Sequence, residues 1–222
     1  MGMKLTIVLI AVAVMLTAGL CAQDDRVDGT AEKLPVSYRR LESMSIEQYG
    51  VYNAAAEISE KAKVAIGVAA IQQPELEPTI KLNFPGGTVA DLLNSLVREA
   101  PDYEWQETEQ NIIHLSRSGP RVSLLDVVMS YPGAAKKTRR QIWDDLGQRP
   151  EISAWLESNH CGRFEVFTGH EFSDHNAPIS LASGNIRVEQ LLDQVATRSG
   201  TNYWAVLQSE SGNSCKVSII LW

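Results

Sequence analysis

The stretch Pro78-Thr79-Ile80-Lys81-Leu82-Asn83-Phe84-Pro85-Gly86-Gly87-Thr88-Val89-Ala90-Asp91-Leu92-Leu93-Asn94-Ser95-Leu96-Val97 decides how this chain folds. Its apolar positions return in Ala177-Pro178-Ile179-Ser180-Leu181-Ala182-Ser183-Gly184-Asn185-Ile186-Arg187-Val188-Glu189-Gln190-Leu191-Leu192-Asp193-Gln194-Val195-Ala196, an offset of about 99 residues. Ile80 falls on Ile179, Leu82 on Leu181, Val89 on Val188, and Leu92, Leu93 and Leu96 on Leu191, Leu192 and Val195. Tyr103 and Trp105 answer to Tyr203 and Trp204 with a one-residue slip. A repeat of this length reads as a duplicated structural unit.

Each copy makes the same physical statement. Ile80, Leu82 and Phe84 alternate with polar residues, the period of a half-buried strand. Pro85-Gly86-Gly87 turns the chain. Thr88, with Asp91 three residues on, predicts a capping box. Val89, Leu92, Leu93, Leu96 and Val97 then share one helical face, and Pro101 ends the helix. Tyr103 to Trp105 and Asn111 to Leu115 predict a closing hairpin. The second copy predicts a strand at 179–181, a helix over 188–198 closed by Gly200 in a left-handed cap, and strands over 203–208 and 216–221. One further strand precedes each copy, at 64–68 and 164–167.

The expected fold class is therefore α+β: two tandem β-β-α-β-β-like units, each a helix packed on a small sheet, joined by a helical linker. Ser45 and Gln48 predict a capping box opening a helix to Lys61 ahead of the first unit. Residues 134–146 read as helix after the Pro132-Gly133 break, and Pro150 starts a short helix through Trp155 and Leu156. The expected organisation is a signal peptide over 1–22, a loose polar leader over 23–40, a helix plus first repeat over 41–120, a helical linker over 121–159, and a second repeat over 160–222.

The quoted strand and helix, with Tyr103-Glu104-Trp105 and Ile112-Ile113-His114-Leu115, resemble the short N-terminal domain shared by secretins and TonB-dependent receptors, the STN domain. The resemblance rests on hydrophobic spacings. It implies a periplasmic, non-catalytic module that binds partner proteins or signals across the outer membrane. This chain departs from the family in that no barrel or secretin-ring segment follows, so a stand-alone pair of units is the expectation.

The start of the chain carries an address. Lys4 precedes an uncharged apolar run from Leu5 to Leu20, and Gln23-Asp24-Asp25-Arg26 ends it. A positive start, an apolar run of this length and small residues at its end make a signal peptide. The run is short for a membrane span, which needs about 20 residues. Cleavage after Ala22, lipidation of Cys21 after Leu20, and an uncleaved anchor remain the three alternatives. Removing Lys4 with the signal takes the net charge from −7 to −8, which argues against a nucleic-acid partner. Of three cysteines, Cys161 and Cys215 would then remain. An oxidising compartment would pair them; two separate thiols are the alternative. The expected location is periplasmic or secreted.

Chemical motifs are sparse. His160, His170 and His175 lie close together with Cys161, Glu171 and Asp174, a composition that suits zinc. His170 and His175 are five apart, however, whereas two ligands on one helix face are four apart. Exposed loop histidines are the plainer reading, and no cofactor is expected. No Gly-x-Ser-x-Gly elbow is present. Asp144-Asp145 read as solvated acids, and Asp91 and Asp193 as surface or capping residues. The basic run Lys136, Lys137, Arg139 and Arg140, with Trp143 one turn on, is the expected interaction surface. Positive charge near a helix start opposes the helix dipole, which suggests a functional reason for it. Pairing with Asp144 and Asp145 is the structural alternative. The expected function is an exported binding or assembly module of the bacterial envelope, meeting a protein partner through sheet edges or this basic helix. The alternative is an envelope hydrolase or metal-dependent enzyme built on His160, His170 and His175.

Overall fold

The computed structural model describes residues 34–72, 77–162, 165–168, 178–211 and 214–221. The first half runs β1 (Arg40–Leu41), β2 (Met44–Tyr49), α1 (Val51–Ala62), β3 (Ile66–Gln72), β4 (Thr79–Phe84), β5 (Gly87–Thr88), α2 (Val89–Glu99), β6 (Tyr103–Glu107) and β7 (Ile113–Arg117). The second half runs β8 (Val128–Tyr131), β9 (Ala134–Lys137), α3 (Arg139–Gly147), α4 (Pro150–Ser158), β10 (Glu165–Thr168), β11 (Ile179–Leu181), β12 (Gly184–Arg187), α5 (Val188–Ser199), β13 (Tyr203–Ser211) and β14 (Ser214–Leu221).

The alternation read at residues 79–84 is realised. β4 buries Ile80, Leu82 and Phe84 and exposes the residues between them. It pairs antiparallel with β2, Ile46 opposite Leu82. Thr88 caps α2: its hydroxyl accepts from the Asp91 amide at 3.1 Å, and the Asp91 carboxylate accepts from the Thr88 amide at 2.9 Å. The carboxylate also accepts from the Thr88 hydroxyl at 2.7 Å, and its bonds from the Thr88 amide and hydroxyl hold the Asp91 carboxyl below its ordinary range. α2 then buries Val89, Leu92, Leu93 and Leu96, and α5 buries Val188, Leu191, Leu192 and Val195 at the matching positions. Gly200 closes α5 with φ 75°, as expected.

The assembly of these pieces differs from the expectation. The chain does not form two β-β-α-β-β units, each on its own small sheet. One six-stranded sheet, in the order β10-β14-β13-β3-β7-β6, takes three strands from each half. Four two-stranded ladders, β1–β5, β2–β4, β8–β12 and β9–β11, accompany it among the described residues. The junction is β13 against β3, parallel and in register from Tyr203↔Ile66 to Ser209↔Gln72. Residues 121–159 are not a linker either, because β8 and β9 from this segment pair with β12 and β11 of the second copy.

Two local expectations fail for identifiable reasons. Ser45 and Gln48 lie in β2, and the helix starts only after Gly50, whose φ is 77°. The short polar-apolar alternation around Ile46 outweighed the capping pattern, because β4 offers a complete partner ladder. Residues 134–137 are strand, and α3 starts after Thr138, which forms a capping box with Gln141. Lys136 at φ 52° marks the break before that helix.

The six-stranded sheet separates two cores. On β13, Tyr203, Ala205 and Leu207 join the core of α1 and α2, while Trp204 and Val206 join the core of α3, α4 and α5. Successive side chains of a strand face opposite sides, so the helices of the two halves cover opposite faces of one sheet.

Candidate functional site

Three adjacent strands place His114, Gly67 and Trp204 in one row. Gly67 on β3 is registered with His114 on β7 and with Trp204 on β13. The indole lies over the glycine: a Cβ at position 67 would sit 2.2 Å from Trp204 Cζ2. Glycine is needed here for room, and the space it leaves lets the indole approach the imidazole. The two rings meet edge to face with centroids 5.5 Å apart.

Helix α5 supplies the polar partner for both rings. The Asp193 carboxylate accepts from Trp204 Nε1 at 2.8 Å and lies 3.0 and 3.2 Å from His114 Nε2. Glu189, one turn earlier, lies 3.4 Å from His114 Nδ1 and 2.5 Å from the Arg121 guanidinium. His114 and Asp193 are each at least nine-tenths buried, and Trp204 is 1% exposed. A carboxylate buried this deeply is tolerated because its oxygens are bonded. A carboxylate therefore faces each ring nitrogen of His114. The arrangement ties His114 of the first half to helix α5 of the second.

A cleft of about 350 Å³ opens beside this row. Its walls include Glu104 and Gln106 of β6, His114 and Ser116 of β7, Arg121 and Glu189. It therefore extends from the buried tether to the outer strand of the sheet. On the opposite face Glu77 is packed near Arg117, 3.9 Å away, and against Tyr103. Burial outweighs the guanidinium and raises the Glu77 carboxyl above its ordinary value. Burial likewise raises the Tyr103 and Tyr203 hydroxyls.

Cys161 and Cys215 form the expected disulfide, closing 54 positions with Cα atoms 4.2 Å apart. By the chain-entropy relation a loop of that length contributes about 4 kcal/mol. The bridge ties the end of α4 to β14, within the second half. Cys161 is thereby removed as a metal ligand. His160 is exposed, whereas His170 and His175 lie outside the described residues. Among the described residues no group of three or more His, Cys, Asp or Glu could hold a metal ion.

The basic run is divided by the fold. Lys136 and Arg140 are exposed, but Lys137 is ion-paired with Asp145. Arg139 is 2% exposed, and Trp143, 3% exposed, belongs to the second core. Desolvation lowers the affinity of Arg139 for its proton. Asp193, read from sequence as a surface or capping residue, is buried, and Gly67, His114, Glu189 and Arg121 carried no local signal. Their association spans 79 positions between His114 and Asp193, a separation no short pattern contains.

No protein-family model matches the chain, and no curated protein matches its sequence. No described helix is long and apolar enough to cross a membrane.

Proposed function

We propose that the chain is an exported, non-catalytic binding or assembly module of the bacterial envelope, and that it takes a protein partner by strand addition at a sheet edge. The observation that carries this reading is the β13–β3 junction. There an outer strand of one half receives a strand of the other over seven consecutive register pairs. Backbone groups are further joined by Ile66 N donating to Asn202 O at 2.8 Å, and Tyr203 Oη donates to Tyr52 O at 2.7 Å. The same chemistry is available to a partner at an unpaired edge. The STN resemblance, with its partner-binding role, points the same way. The apolar run after Lys4 supports export to the periplasm or medium, and the Cys161–Cys215 bridge suits an oxidising compartment.

A photo-crosslinking residue placed at position 106, on the outer strand, is expected to capture a specific envelope protein. The same residue at position 140, on the basic helix, reports the other candidate surface. Capture at neither position, together with turnover on a hydrolase substrate panel, overturns the reading. Intact mass of the extracytoplasmic protein should lack residues 1–22; a full-length mass in the cytosol overturns export.

A further inference from the structure

The outer strand β6 is where the six-stranded sheet stops. Its inner side is filled by β7, with Ser118 N donating to Asp102 O at 2.6 Å and Thr108 N to Ile112 O at 2.8 Å. Antiparallel ladders alternate, so the peptide groups of Trp105 and Glu107 point outward, away from β7. No described strand pairs with that side.

The side chains of β6 divide sharply by face. Tyr103 and Trp105 turn toward the first core, Trp105 half-buried with its indole N–H donating to Asn94 at 3.0 Å. Glu104 and Gln106 lie exposed on the other face and form the outer wall of the cleft beside His114. Asp102 and Glu109 continue the exposed polar margin at the two ends of the strand. Asp102 is partly offset by Arg117 at 3.2 Å, but Glu104 and Glu109 make no ion pair among the described residues. Glu107 is already used, accepting from Val36 N at 2.5 Å and Ser37 N at 3.2 Å.

The inner junction shows why a second copy of the chain is the poorer occupant. There β13 presents Tyr203, Ala205 and Leu207 to the core of the half it joins. The face of β6 turned away from its own core presents Glu104 and Gln106 instead. Continuing the same packing would bury the Glu104 carboxylate without a partner, which is unfavourable. Charged residues on an outer strand are how proteins prevent edge-to-edge growth.

We infer that the β6 edge binds an extended peptide segment alternating basic and apolar residues, its basic side chains facing Glu104 on the strand margin and its apolar ones facing Trp105. The inference rests on the strand-addition reading above and names its edge and partner chemistry. Main-chain bonds to Trp105 and Glu107 supply affinity, and the unpaired Glu104 carboxylate on the strand margin selects the charge.

The test uses the full mature chain and labelled heptapeptides. Lys-Val-Lys-Val-Lys-Val-Lys is compared with its Glu-for-Lys counterpart and with Lys-Val-Lys-Pro-Lys-Val-Lys, which keeps the charge but cannot form a full ladder. Anisotropy at about 0.15 M salt should show the first binding at least tenfold more tightly than either control. The paired substitution Glu104→Lys and Gln106→Lys, both exposed, should weaken it about tenfold, the scale set by a few exposed charge contacts. Hydrogen exchange should show new protection at the Trp105 and Glu107 amides. Equal binding of the proline peptide, or protection confined to another strand, overturns the inference. Concentration-dependent self-association that the Glu104→Lys, Gln106→Lys chain loses also overturns it, by making a second copy the occupant. Crosslinking at position 106 to a partner whose contact segment is acidic or helical overturns the peptide chemistry while leaving the assembly reading intact.

Discussion

Trp204 lies across Gly67, and the indole occupies the volume that any side chain at position 67 would need. Gly67→Ala must displace the indole or bend β3, because the added methyl would meet the ring at 2.2 Å. Overpacking of this kind costs about 1–3 kcal/mol. The expected result is a lower denaturation midpoint with an unchanged fold by circular dichroism. The double variant Gly67→Ala, Trp204→Phe, whose smaller ring relieves the clash, should recover part of the loss. A neutral Gly67→Ala would show that the indole has a second place to go.

Asp193→Ala should destabilise the chain more than a typical helix substitution to alanine. It strips an acceptor from the Trp204 indole N–H and from His114 at once, leaving both buried without it. An unsatisfied buried donor costs about 1–3 kcal/mol. Chemical denaturation measures the loss. Since His114 belongs to the first half and Asp193 to the second, a thermodynamic cycle with His114→Ala should show non-additivity; strict additivity would remove the tether.

Glu77→Gln should stabilise the protein at neutral pH. Burial raises the Glu77 carboxyl above its ordinary value of 4.5 in the folded state. The folded chain therefore favours the protonated form, and stability falls as pH rises from the ordinary value through the raised one. Glutamine cannot ionise and escapes that loss. The gain in Tm over the wild type should be largest above the raised value and should shrink as the pH falls below about 4. A gain independent of pH, or none, would show that Arg117 already compensates the charge.

Much of the local structure was legible in the sequence. The alternation of Ile80, Leu82 and Phe84 is set by the two-residue period of a strand, and the Leu92, Leu93 and Leu96 face by the helical repeat. Thr88 with Asp91 contains its own partners within one turn. Each of these signals closes within a few residues, so no tertiary information is needed. The Cys161–Cys215 pair was open to inference for a different reason: once Cys21 is assigned to the export signal, two cysteines can pair in only one way. The failures at Ser45 and at residues 134–137 are also instructive. In both, a helix pattern competed with a short strand whose partner ladder, β4 or β11, lay far along the chain.

The duplicated spacing by itself determined that α2 and α5 would be amphipathic helices flanked by strands. It did not determine where one half would end and the other begin. A strand buried on both faces, like β13, serves two cores, and its pattern cannot say which residues will supply the second. Only the tertiary structure decided that Tyr203 and Trp204, neighbours in sequence, belong to opposite cores. It also decided that Gly67 would be the gap through which Trp204 and His114 meet. The physical reason is separation: the apolar and capping patterns act within a turn or a strand, whereas the site joins groups that approach one another only when both halves share one sheet.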